Sequence, residues 1–137
     1  MSFAIDPRLV GVTHPLGDLG LSRLLLMDDA RFPWLVLVPR IAGARELFDL
    51  DGADRASLLA ELDVVGRALE ALLAPDKFNI AALGNVVPQL HVHVIARWAT
   101  DVAWPKPVWN HGDRMPYEPA ALAERIAALR GALPTLA

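Results

Sequence analysis

The chain has no cysteine, no apolar run approaching the length of a membrane span, and only modest charge. Each shortage closes off a class of function. Without thiols there is neither a disulfide frame nor a thiolate metal site. No stretch nears the 18 or so apolar residues that a spanning helix needs, so no membrane partner is expected. The opening residues, Met1-Ser2-Phe3-Ala4-Ile5-Asp6-Pro7-Arg8, lack the basic and then apolar segments of a secretory signal, which leaves a cytoplasmic protein as the expectation. Thirteen basic against sixteen acidic residues give a net charge of −3, with the cations scattered rather than striped. A nucleic-acid polymer is therefore not an expected partner. A small anion remains open, because backbone N–H groups and one or two cations can hold it.

What is present suits a globular fold. The 137 residues are 54% hydrophobic and 21% charged, which predicts one domain over 1–137 with a proper core. A mean hydropathy of +0.34 reflects the many alanines, and it also fits an apolar surface covered in a homo-oligomer.

Hydrophobic patterning predicts strands over 21–27, 34–38, 78–83 and 87–97. The five apolar residues Trp34-Leu35-Val36-Leu37-Val38 suggest a strand covered on both faces or lying at an interface. The segment before residue 21, with Pro7, Pro15 and several glycines, reads as irregular. Leu58, Leu62, Val65, Leu69 and Leu72 recur at steps of four and three, so a long helix is expected over 54–74. Asp51 or Asp54 can cap its start, and Pro75 closes its end. Residues 100–119 read as loop, and Pro119 opens a final helix over about 120–133. The resulting class is α+β, a mostly antiparallel sheet with one long helix and a C-terminal helix.

Chemistry concentrates in residues 89–95, Gln89-Leu90-His91-Val92-His93-Val94-Ile95, which hold two of the four histidines. On a strand, alternate residues face opposite ways, so Gln89, His91 and His93 share one face while Leu90, Val92 and Val94 face a core. A neutral imidazole is a nucleophile toward phosphorus once its other nitrogen is bonded to a fixed acceptor. A second imidazole about 7 Å along the strand can bond a phosphoryl oxygen or protonate a leaving group. His-x-His on a strand is also a chelating pair. Metal sites of that kind want a third ligand, yet Arg97 and Trp98 follow and no acid appears until Asp101. The metal-free nucleophile is the favoured reading, with neither metal nor cofactor expected. Two histidines that only face solvent are the plain alternative.

The motif resembles that of the histidine triad (HIT) superfamily of nucleotide hydrolases and transferases, His-φ-His-φ-His-φ-φ with φ apolar. Every position of residues 89–95 fits except the first, where Gln89 stands for histidine. The resemblance extends to Val36-Leu37-Val38-Pro39-Arg40, to Gly84-Asn85 before the motif and to Trp104-Pro105 after it, over roughly residues 21–109. It implies that His91 attacks the α-phosphorus of a nucleotide conjugate and forms a nucleotidyl-histidine intermediate. The conjugate would be a dinucleoside polyphosphate or a nucleoside phosphoramidate. It further implies that His93 bonds the phosphoryl oxygens or leaving group, that Asp28 or Asp29 holds the ribose, and that Gly84 and Asn85 meet the phosphate. A purine nucleotide partner and a homodimer are implied as well. Gln89 cannot titrate, but its amide can still orient His91. Val86 stands where many relatives carry Ser or Thr, and Ala42 lies near the place of an upstream histidine. Asp28, Asp29 and Asn85 also read simply as turn residues. Arg97 and Lys106 read best as solvated surface, and Trp98, Trp104 and Trp109 as packing or dimer contacts. A purine-nucleotide sensor without catalysis is the alternative function, and a His-x-His metal protein the third.

Overall fold

The run from Trp34 becomes the centre of a sheet with both faces covered, and all six residues of its strand are buried. The computed structural model describes residues 2–137. In chain order the elements are a short helix α1 (Pro7–Val10), strands β1 (Thr13–Asp18), β2 (Ser22–Met27) and β3 (Trp34–Pro39), helix α2 (Gly52–Leu73), strands β4 (Lys77–Ala81) and β5 (Val92–Arg97), and helix α3 (Pro119–Ala132). A 3-10 turn at Leu47–Asp49 precedes α2. The strands form one sheet in the order β1-β2-β3-β5-β4, with each neighbouring pair antiparallel. This is the α+β arrangement that the patterning predicts. Among the described residues, no helix is long and apolar enough to cross a membrane.

One face of the sheet packs Leu24, Leu26, Leu35, Leu37, Val92 and Val94 against Leu58, Val65 and Leu69 of α2 and Leu129 of α3. Burying each such side chain is worth about 1.5–3 kcal/mol, which is what holds the helices to the sheet. The Asp51 carboxylate caps α2 by accepting from Asp54 N at 2.8 Å, and Ala74 ends it in the left-handed conformation. One polar residue joins the inner stripe: Glu61 is buried and accepts from Leu21 N and Ser22 N at 2.7 and 3.1 Å. It thereby fixes α2 to the start of β2.

The other face carries Leu25, Met27, Trp34, Val36, Val38 and Ile95. It is covered by Phe3, Ile5 and Leu9 from the N-terminal segment and by Ala103, Val108 and Trp109 from the long loop.

Two expectations change. The N-terminal segment is not irregular throughout, since β1 adds an edge strand to β2. Pro15 and Gly17 hide it from patterning, yet an edge tolerates a proline, and the ladder is bulged between these two residues. The histidine strand is also shorter than 87–97, for β5 starts only at Val92. Pro88 has no N–H to give a ladder, and Leu90 N donates to Ala44 O at 2.9 Å instead of to a strand.

Candidate active site

The late start of β5 leaves His91 at a junction between loop and strand and His93 within the strand. Alternation still holds across the junction. Leu90, Val92 and Val94 belong to the helix-side core, whereas His93 and Ile95 face the other way. Both imidazoles are nearly covered, His91 at 6% and His93 at 4% exposure. Their rings lie 4.9 Å apart, inclined at 70°.

Each ring has one nitrogen engaged, and the partners differ in kind. His91 Nδ1 lies 2.6 Å from the backbone carbonyl of Gln89. A carbonyl only accepts, so Nδ1 carries the proton and Nε2 keeps its lone pair. His93 Nδ1 accepts from the indole N–H of Trp34 at 2.9 Å. An indole only donates, so the proton of a neutral His93 sits on Nε2. Burial, reinforced by the positive charge that His91 can carry, pushes the His93 pKa down to about 3. With both rings neutral, the pair offers a bare nitrogen on His91 beside an N–H donor on His93. Trp109 packs edge-on against His93 at 5.1 Å and against Trp34 at 5.7 Å.

Trp34 was legible as a core residue but not as the partner of His93. That contact depends on register, with Trp34 opposite Ile95 and Val36 opposite His93. Among the tryptophans expected to pack, Trp109 does so against the site itself.

The Gln89 amide does not turn toward His91. Its Oε1 accepts from Asp6 N and its Nε2 donates to Ala4 O, both at 2.8 Å. Orientation of His91 falls to the backbone carbonyl of Gln89, for which the side chain is immaterial. Gly84 adopts φ +77°, and Asn85 beside it is exposed. Gly84, Gln89 and His91 line a cavity of about 180 Å³ with Arg45, Phe48 and Leu83.

Asp28 and Asp29 follow β2 at the sheet end away from Gln89. Asp28 lies about 10 Å along the strand direction from the level of His93 by the ordinary rise per residue. Asp29 is 1% exposed, and its carboxylate receives both Arg31 Nε at 2.9 Å and Nη2 at 2.8 Å. Burial pushes its pKa up, but the bonds from Arg31 and from Met115 N outweigh this and hold it below the ordinary value. Asp28 accepts from Tyr117 N at 3.0 Å, and its carboxylate lies 3.1 Å from Arg114 and 3.0 Å from His14. The two acids tie the segment before α3 to the sheet. Asp28 is the one that solvent reaches, with 18% of its side chain exposed.

Arg97 is not surface. Its side chain is 2% exposed, donates to Asp101 at 2.7 and 3.0 Å, to Asn79 and to the Lys106 carbonyl, and lies over Phe32 and Trp104. Arg97 in turn holds the Asp101 pKa at about 2. Lys106 is exposed. The His111 carbonyl accepts from Arg31. Among the described residues, no three histidine or acidic side chains gather where they could hold a metal ion.

A five-stranded antiparallel sheet, one long helix behind it and a histidine pair entering from β5 define a HIT-like α+β protein. The sequence profile of the HIT domain matches residues 12–100, so the chain belongs to the HIT domain family. It is similar to a histidine triad protein of Marinobacter aquaeolei VT8, with 42% identity over 100% of both chains and a TM-score of 0.96. It also resembles one from Bradyrhizobium japonicum, at 46% identity over 96% of this chain and 98% of that one, with a TM-score of 0.93. A third, from Sinorhizobium meliloti 1021, is 43% identical over 94% and 96% of the two chains, with a TM-score of 0.91. No curated protein sequence matches.

Proposed function

We propose that this protein hydrolyses or transfers at the α-phosphate of a purine nucleotide conjugate, a dinucleoside polyphosphate or a nucleoside phosphoramidate. The observation that carries this reading is the opposed tautomers of the histidine pair. His91 Nε2 attacks phosphorus, a P–N bond forms, and the bond to the leaving oxygen or nitrogen breaks. The Gln89 carbonyl accepts from Nδ1 throughout and stabilises the imidazolium that develops. His93 Nε2–H bonds a phosphoryl oxygen as charge grows there, without having to be protonated. Water then cleaves the P–N bond and restores His91. Gly84 and Asn85 border the phosphate, and Asp28 rather than Asp29 holds the ribose, because solvent reaches the Asp28 carboxylate whereas Asp29 is buried against Arg31.

The test is a panel of nucleotide conjugates with His91→Ala as control. The variant is expected to lose at least about a thousandfold in turnover, as removal of a covalent nucleophile does, with an unchanged circular dichroism spectrum. A slow substrate should leave a nucleotide mass on His91. Purine-nucleotide binding without turnover of any conjugate would favour the sensor reading. Activity that needs added divalent metal and disappears with chelator would favour a metal site.

The working unit we propose is a homodimer. β4 lies at the sheet edge with one side unpaired, and Ile80 on it and Leu59 on α2 are 54% and 70% exposed. They line an apolar groove between α2 and β4 together with Leu62 and Phe78. A second copy laid along this edge would cover both.

A further inference from the structure

We infer that Gln89 latches the N-terminal segment across the site, and that Arg8, held there, binds the phosphate chain beyond the α-phosphate. This rests on the reading that the site takes a nucleotide.

The latch is made by one side chain. Gln89 accepts from Asp6 N and donates to Ala4 O, so its amide pairs with the segment as a neighbouring strand would. Phe3, Ile5 and Leu9 add apolar contacts to the sheet face that carries His93. A histidine at position 89 has one donor and one acceptor on opposite sides of a ring, and cannot make both bonds to residues two apart. Glutamine at the first motif position therefore exchanges a titratable group for a fastening.

What the fastening places is a cation. Asp6 receives Arg8 Nε at 3.0 Å and Nη2 at 2.8 Å, and the Arg8 guanidinium holds the Asp6 pKa at about 2. Arg8 Nη1 donates to the Val86 carbonyl at 2.8 Å. A guanidinium has five N–H bonds, so one on each terminal nitrogen remains for a ligand. The Arg8 side chain is 56% exposed. It is joined to the turn that carries Asn85, and through Asp6 to Gln89, two residues before His91. Val86 has no hydroxyl to offer a phosphate, and Arg8 brings donors to that same turn. A guanidinium held by a carboxylate keeps its charge and gains a fixed direction, which favours a polyanionic chain over a neutral amine as the leaving side of the substrate.

The test compares ATP with AMP by calorimetry on the full chain, because only ATP extends past the α-phosphate. Arg8→Ala is expected to weaken ATP binding at least tenfold and AMP binding less than twofold, with Arg8→Lys in between. Gln89→Ala should reproduce the selective loss and speed amide exchange over residues 3–8, a readout that needs no turnover. Equal loss for both nucleotides, no loss for either, or unchanged exchange over 3–8 would overturn the proposal. If wild type binds both nucleotides but turns over no conjugate, the catalytic reading fails while the preference for ATP still decides this one. If wild type binds neither, both fall.

Discussion

At the scale of single residues, the site is set by what sits behind each imidazole. The Trp34 indole donates to His93, and burial keeps that ring neutral. An unfolded histidine titrates near 6.5, so between that pH and about 3 the unfolded chain binds a proton that the folded one refuses. Stability from this group is present above 6.5 and is lost as pH falls, by up to about 1.4 kcal/mol per pH unit. His93→Gln should flatten the dependence of urea midpoint on pH between about pH 6 and pH 4.5, where the depressed carboxylates stay ionised. Trp34→Phe leaves Nδ1 of His93 buried and without its donor, at a cost of about 1–3 kcal/mol. Nitrogen chemical shifts should show His93 as the Nε2–H tautomer in wild type and as a mixture in that variant.

At the scale of elements, two polar ties do what apolar packing leaves undone. Glu61 fixes α2 to β2, and the Arg97–Asp101 pair fixes the long loop to β5. Both partners of that pair are nearly buried, at 2% and 7% exposure. Asp101→Asn leaves a buried guanidinium without its counter-charge, and about 3–5 kcal/mol of stability should go with it in urea unfolding. Because Ala103, Val108 and Trp109 reach the site face from the same loop, activity is expected to decline before the protein unfolds globally.

At the scale of the whole molecule, the open edge of β4 and the groove beside it predict association. Sedimentation should give twice the 14.9 kDa of one chain, and Ile80→Lys should return it to one, since burying an unpaired ammonium costs more than the contact gains. A wild-type monomer at micromolar concentration would contradict the dimer.

Local pattern was enough for the elements whose signal is periodic. The stripe on α2, the doubly covered β3 and the alternation around His91 and His93 all follow from side-chain direction along a regular backbone. β1 escaped because Pro15 and Gly17 break the pattern at an edge where the fold tolerates them. The partners of the site escaped for a different reason. Trp34 lies 59 positions from His93, and Gln89 lies 83 from Asp6 and 85 from Ala4, so no window of sequence contains these pairs. The chain by itself determined that two imidazoles share a strand face in a HIT-like α+β domain. Only tertiary packing decided that His93 keeps its proton on Nε2, because strand register brings the Trp34 indole to its Nδ1, and that the Gln89 side chain is spent on the N-terminal segment rather than on His91.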